Sequence, residues 1–270
     1  EKNFKSTFFM SKVRNQFNKA SSNYDAHAFL QNEIASRLAE KLDVISIEPK
    51  IIIDLGSGTG FLSKKIAKIF PNSSLICVDF AQQSLLTNPQ KFKVCANAYE
   101  LPFASNSVDF IVSNLMMQWC SDLTMLLDEC FRILKPEGLF LFTTFGPDTL
   151  KELKRSWSVV DNHAHVNDFT DMHDIGDQML QSGFQSPIME MEKLTLTYNK
   201  VVDLMYDLKA IGAHNVQNRS KSLTGKTKFN KMIEIYESYR ENDKLPATYE
   251  VIYGHAWKKE KQFRNISLEN

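Results

Sequence analysis

The segment that most limits how this chain can fold is Ile51-Ile52-Ile53-Asp54-Leu55-Gly56-Ser57-Gly58-Thr59-Gly60. Three β-branched residues run into an acid and then into a turn with a glycine at every second position. Phe61, Leu62, Ile66 and Ile69 follow at helical spacing. A short apolar run bounded by glycines is a buried strand, and the periodicity after it is an amphipathic helix. The segment is therefore strand, tight turn and helix N-terminus. Glycines in such a turn let the backbone approach a bound group that a Cβ would hold off.

The rest of the chain repeats this alternation. Lys50 to Leu55, Leu75 to Phe80, Phe92 to Ala96, Val108 to Leu115 and Leu139 to Phe145 read as five strands. The helix Leu123 to Leu134 precedes the fifth, and Lys135-Pro136-Glu137-Gly138 stops it. Alternating strand and helix predicts an α/β fold, a parallel Rossmann-like sheet with helices on both faces. Right-handed crossovers then bring the strand C-termini to one edge, where ligands bind. Later come helical patterns at Asp148 to Val160 and Met172 to Ser182. A long strand at Ile188 to Tyr198, helices at Val201 to Ile211 and Phe229 to Tyr239, and a last strand at Thr248 to Trp257 follow.

The expected division has five parts. Residues 1–45 form an N-terminal helical segment, 46–200 the binding core, and 201–245 a helical lid inserted before the last strand. Residues 246–258 are the final core strand and 259–270 a tail.

Charge narrows the function. Lys and Arg together number 32 and so do Asp and Glu, so no global field points to nucleic acid or a membrane surface. No apolar run is long enough to span a bilayer and no secretory leader is visible, which predicts a cytoplasmic protein. Cys77, Cys95, Cys120 and Cys130 form no C-x-x-C pair, and each is expected as a free, buried thiol rather than a disulfide or zinc ligand.

Two cofactor classes use such a turn, dinucleotides and S-adenosylmethionine. Asp54 sits at the end of the first strand, where it would repel a pyrophosphate and attract a sulfonium or α-amino group. Asp79, ending the second strand, is placed to accept from two ribose hydroxyls, which suits either cofactor. Asn97-Ala98 follows the third strand towards an adenine edge, and Ser113-Asn114-Leu115 ends the fourth near the sulfonium. From Lys50 to Phe145 the chain resembles the class I S-adenosylmethionine-dependent methyltransferases.

Motifs outside that core narrow the resemblance. They include Tyr24-Asp25-Ala26-His27-Ala28-Phe29-Leu30-Gln31, Met116-Met117-Gln118-Trp119-Cys120, Gly146-Pro147-Asp148-Thr149-Leu150 and His165-Val166-Asn167. Leu208-Lys209-Ala210-Ile211-Gly212-Ala213-His214-Asn215 and Leu245-Pro246-Ala247-Thr248-Tyr249, continuing to Tyr253-Gly254-His255-Ala256-Trp257, complete the set. From about Val13 to Lys258 the chain resembles the malonyl-acyl-carrier-protein O-methyltransferase (BioC) family of biotin synthesis.

That resemblance implies methyl transfer from S-adenosylmethionine to the free carboxylate of malonyl-acyl-carrier protein or malonyl-CoA, leaving S-adenosylhomocysteine. It implies a cofactor pocket of Tyr24, Gln31, Asp54, Gly56, Gly58, Asp79, Phe80, Asn97, Ala98, Asn114 and Gln118. Asn97 stands where many relatives carry Asp, and is a neutral and weaker acceptor. A carboxylate is already ionised at pH 7, so no catalytic base is expected. Trp119, Arg155 and Lys209 are the positioning candidates, Trp119 as a wall of the methyl-transfer site and the two cations, together with Arg219, as holders of the malonyl carboxylate. A related complex I assembly factor, associated with arginine hydroxylation, shares part of the pattern and is the alternative, as is a non-catalytic scaffold that binds the cofactor.

His163, His165 and His173 lack the spacing of a metal site, and packing or loop roles are expected for them. Between Asp207 and Glu234 the chain has no acid, and Arg219, Lys221, Lys226 and Lys228 are candidates for docking an acidic carrier protein.

Overall fold

The computed structural model describes residues 11, 13–19, 24–211 and 225–259. Expectations for residues 1–10, for Gly212 to Asn215 including His214, for Arg219 and Lys221, and for the tail beyond Lys259 lie outside them.

Residues 13–19 are helical. The elements that follow are α1 (Tyr24–His27), α2 (Phe29–Glu40), β1 (Ile51–Leu55), α3 (Phe61–Ile69), β2 (Ser74–Asp79), α4 (Gln82–Thr87), β3 (Phe92–Cys95) and β4 (Val108–Asn114). After a short 3-10 turn at Met117–Trp119 come α5 (Leu123–Ile133), β5 (Leu134–Phe145), α6 (Lys151–Ser158), α7 (Met172–Gln181), β6 (Gln185–Tyr198), α8 (Val201–Ala210), α9 (Lys226–Glu237) and β7 (Leu245–Lys258). One seven-stranded sheet runs in the order β3-β2-β1-β4-β5-β7-β6.

β1 to β5 pair in parallel, whereas β7 is antiparallel to both β5 and β6. The sheet is thus mixed, with a parallel half and an antiparallel flank. The parallel arrangement expected from the five alternating strands is present in β1 to β5. Periodicity reports which faces are buried and not which way a strand runs, so the directions of β6 and β7 carry no signal in the sequence.

The period of two sends neighbouring residues to opposite faces. Ile52, Phe110, Leu139 and Leu141 face a core completed by α2, α3, α8 and α9. Ile53, Ile111, Phe140 and Phe142 face the other, completed by α5 and α7. Both sheet faces are covered, and that is why β1 and β4 read as mainly apolar runs without strict alternation.

Other departures have local causes. Cys77 and Cys130 are buried, but Cys95 is exposed because β3 is an edge strand, and Cys120 is half-buried. Lys135 to Gly138 does not separate helix from strand. It forms an irregularity within β5, where pairing jumps from Val108–Leu134 to Phe110–Leu139 and Glu137 takes φ 59°. β7 starts at Leu245 and admits Pro246, which pairs only with β6, beyond the reach of β5. No described helix is long and apolar enough to cross a membrane.

Gly254 of β7 lies under the fully buried Phe142, and a Cβ there would come within 2.8 Å of Phe142 Cε1 and closer to Cζ. Gly254→Ala is expected to lower stability by about 3 kcal/mol, read as a drop in urea midpoint.

Candidate cofactor and substrate cleft

The glycine turn takes the form its composition allows. Gly56, Gly58 and Gly60 have φ of 77°, 50° and 97°. Gly56 and Ser57 donate backbone N–H groups to Val78 O at 2.8 and 3.0 Å, and this ties the turn to the end of β2. A Cβ on Gly58 would meet nothing within 4 Å, because that position opens into a cavity.

Asp79 anchors the other side of that cavity. Its carboxylate accepts from Gly58 N at 2.8 Å and Ala81 N at 2.7 Å. Burial raises its pKa, and these backbone donors oppose the rise. One N–H on each oxygen leaves each a further acceptor direction, enough for two vicinal hydroxyls.

Asp54 lies beneath the turn rather than in the cavity wall. It is buried, and its Oδ2 accepts from Ser63 Oγ on α3. Oδ1 has no partner. Burial pushes this carboxyl up to about 7, against the hydrogen bond from Ser63 and with the help of nearby Asp79. A buried acid with an orphaned oxygen is costly by itself and is relieved by a cationic partner.

The cleft has two compartments. The smaller, about 120 Å³, is lined by Gly56, Gly58, Asp79, Phe80, Ala98 and Asn114 among others. The larger, about 250 Å³, is mainly aromatic and aliphatic, with Phe145, Trp157, Phe229 and Tyr249 in its wall. Phe17, Tyr24, Leu115 and Trp119 line both and form the partition between them. Trp119, on the 3-10 turn after β4, is held edge-on to Phe17 with ring centroids 5.3 Å apart.

Gln31 and Gln118 line the larger compartment, not the one that holds the glycine turn. Gln118 is fixed by bonds from Nε2 to Leu115 O at 2.7 Å and from Thr144 Oγ1 to Oε1 at 3.3 Å. Gln31 is buried with its Oε1 unpartnered. Asn97 is in neither wall. Its Oδ1 accepts from Tyr99 N at 3.2 Å and shapes its own turn, while Ala98 next to it lines the cavity.

Arg155 and Lys209 are exposed and line neither compartment. Helical geometry turns both outward, since it is Leu153 and Trp157 of α6 and Met205 and Leu208 of α8 that reach the larger cavity.

A four-residue helix ties the parts together. Asp25 of α1 accepts from Thr59 Oγ1 of the glycine turn at 2.6 Å, and His27 pairs with Asp207 of α8 at 3.0 Å. Tyr24 is thereby held at the partition, 6.3 Å from Phe61 between ring centroids. Burial raises the pKa of the Tyr24 and Tyr249 phenols, so both remain neutral hydroxyls at pH 7.

Several lining residues were not singled out from the sequence, among them Phe17, Trp157, Met205, Phe229 and Tyr249. They come from segments far apart in the chain, and each reads alone as a core aromatic or aliphatic. His165 is a further case. The sequence suggested packing for it, yet it lines the larger compartment.

The strand order, the glycine turn and the acid closing β2 define a class I methyltransferase. The pocket suits S-adenosylmethionine in three respects: open space at Gly58, a paired acceptor in Asp79, and a buried acid short of a positive partner. The comparisons agree. Residues 53–142 match the family described as "Methyltransferase domain". The malonyl-[acyl-carrier protein] O-methyltransferase of Gallionella capsiferriformans is 45% identical over 260 residues, covering 91% of this chain and 90% of that protein. That of Coxiella burnetii is 44% identical, covering 95% and 91%.

The chain belongs to the malonyl-[acyl-carrier protein] O-methyltransferase family, and S-adenosylmethionine is its methyl donor. The YcgJ protein of Bacillus subtilis has a similar fold, with a TM-score of 0.60 at 13% identity over 84% of this chain and 99% of that one. These relatives give the complex I alternative no support.

Proposed function

We propose that the protein methylates the free carboxylate of a malonyl thioester, carried by acyl-carrier protein or by coenzyme A. One structural observation carries this reading beyond family membership: a compartment built on the glycine turn and Asp79 and a second, mainly aromatic and aliphatic compartment meet at a single partition. At about 250 Å³ the acceptor compartment is smaller than a typical ligand pocket and suits a short acyl group more than a protein side chain on a folded surface.

The chemistry needs little from the protein beyond placement. S-adenosylmethionine supplies, when bound, an electrophilic methyl on a positively charged sulfur. The transfer would exchange the carbon–sulfur bond for a bond to one carboxylate oxygen, with the electron pair left on sulfur. Anion and sulfonium become ester and thioether, and no proton moves. Gly56, Gly58, Asp79 and Phe80 would hold the nucleoside part, and Asp54 would stabilise the positive end from beneath the turn. Phe17, Tyr24, Leu115 and Trp119 shape the passage. An apolar, water-poor site strengthens the attraction between an anion and a sulfonium and favours a reaction that cancels both charges.

The described helices of the segment 201–245, α8 and α9, are read as a lid over the acceptor side. Met205 and Leu208 of α8 and Phe229 of α9 supply part of that cavity's wall. Lys226 and Lys228 remain candidates for contacting an acidic carrier, although Lys228 is also paired with Asp161 at 3.0 Å.

The reading is tested by acceptor choice. Formation of S-adenosylhomocysteine is expected with malonyl-CoA and malonyl-acyl-carrier protein, and not with acetyl-CoA, which offers no carboxylate. Equal turnover with acetyl-CoA, or none with either malonyl thioester, would contradict it.

A further inference from the structure

A carboxylate brought into a mainly apolar cavity needs a positive or strongly donating partner, or its desolvation outweighs the rest of the binding. Neither Arg155 nor Lys209 enters the cavity. Among the described residues lining the larger compartment there is no Lys or Arg, and His165 is the one side chain that can carry positive charge.

His165 is built into place. Its ring stacks on Trp157 with centroids 3.7 Å apart and an interplanar angle of 6°. Its Nε2 bonds Asp161 Oδ1 at 2.9 Å, and both side chains are about nine-tenths buried. Asp161 Oδ1 also accepts from His163 N at 3.1 Å, and Oδ2 accepts from Lys228 Nζ at 3.0 Å. Burial would raise the pKa of this acid, yet the bonds from His165, His163 N–H and Lys228 outweigh it and hold Asp161 well below the usual carboxylate range.

Asp161 is shared, with Oδ2 on Lys228 and Oδ1 on the His165 ring, so it is not given to the ring alone and the ring's other nitrogen can serve a ligand. With Nε2 turned to Asp161, Nδ1 is the ring nitrogen left for that ligand, and among the described residues it makes no hydrogen bond. The indole face of Trp157 packs flat on the ring and fixes its plane.

We propose that His165 is the residue that holds the acceptor's free carboxylate, donating from Nδ1 to one oxygen so that the other keeps its lone pair towards the methyl group. This rests on the reading of a malonyl thioester as acceptor and adds the group that recognises it. It also gives the site a way to tell substrate from product. The methyl ester has lost the negative charge that His165 holds and leaves, whereas the incoming carboxylate is retained.

The test compares ligands on protein saturated with S-adenosylhomocysteine. Wild type is expected to bind malonyl-CoA roughly ten- to a hundredfold more tightly than acetyl-CoA, the range for a charge-assisted hydrogen bond. His165→Gln should bring that ratio close to one and raise KM for malonyl-CoA more than it lowers kcat. The affinity for S-adenosylhomocysteine should be unchanged. Asp161→Asn, which removes the anchor and leaves the ring, should lower the ratio part of the way.

A His165→Gln protein that binds S-adenosylhomocysteine normally and still prefers malonyl-CoA would overturn the assignment. If His165→Gln fails to bind S-adenosylhomocysteine at all, Asp161→Asn decides, and an undiminished preference there overturns it equally. Wild type that forms no methyl ester would overturn the acceptor reading itself, an outcome distinct from wild-type turnover with an insensitive His165 variant.

Discussion

Asp54→Asn is expected to weaken S-adenosylhomocysteine binding by roughly ten- to a hundredfold, the scale of losing a charge-assisted contact in a buried site. It should also remove a pH dependence. Burial has raised this carboxyl to about 7 in the free protein. The neutral acid is the form favoured by folding, so its contribution to stability is fully present below the ordinary carboxylate range and is lost as pH rises towards 7. A cationic amino group favours the ionised form instead. Binding therefore expels a proton, and wild-type affinity is expected to rise with pH from about 5 to about 7 and then level off. Isothermal calorimetry in buffers of different ionisation enthalpy reads both the affinity and the proton. Asp54→Asn should show weak binding, with the Asp54 proton release gone. A variant that binds as tightly as wild type would show that this acid has no part in holding the ligand.

The glycine turn offers a second large effect, and a contrast within it. At Gly56 a Cβ would lie 2.5 Å from Met116 Cβ and nearer still to Cγ, at a φ of 77° that ordinary side chains avoid. Gly56→Ala must therefore displace Met116, itself part of the cofactor compartment. Loss of measurable cofactor binding and a fall in stability of about 3 kcal/mol are expected together, from overpacking and from left-handed backbone strain. Gly58 also has a positive φ, yet a Cβ there would meet nothing within 4 Å. Gly58→Ala should cost only about 1 kcal/mol of stability, from the backbone alone, while its methyl group intrudes on the bound cofactor. A pair of urea curves and a pair of calorimetric titrations separate the two variants. Equal stability losses would mean that the two glycines are not conserving different kinds of space.

The parallel half of the sheet was legible because each of its inner strands is buried on both faces and so appears as a run of apolar residues ended by a functional group. Asp79 and Asn114 could be placed at one edge for that reason. The antiparallel placement of β7 between β5 and β6 was not legible, since alternation carries no direction. Cys95 looked like a core thiol because edge and central strands share composition. Asn97 followed the third strand as expected, but a short polar side chain after a strand can bond its own turn, and here it does.

The acceptor compartment was the least legible part. Its wall is assembled from residues 17 to 249, and no local pattern distinguishes Trp157 or Tyr249 from ordinary core aromatics. The sequence offers Arg155, Lys209 and Arg219 as partners for the carboxylate; Arg219 lies outside the described residues, and the structure puts a histidine in the wall while Arg155 and Lys209 are exposed. Asp161 and His165 are four residues apart with no pattern that marks them as a pair, and only the stacking on Trp157 and the approach of Lys228 from α9 set that pair in place.

The account turns on where the methyl group goes. Incubating the protein with malonyl-acyl-carrier protein and methyl-labelled S-adenosylmethionine, then digesting the carrier and analysing the acyl-pantetheine by mass spectrometry, locates it. The expected result is label in a malonyl methyl ester that mild base releases as methanol. Label on the protein part of the carrier, or on the methylene carbon of the acyl group where base does not release it, would contradict the assignment of the carboxylate as acceptor.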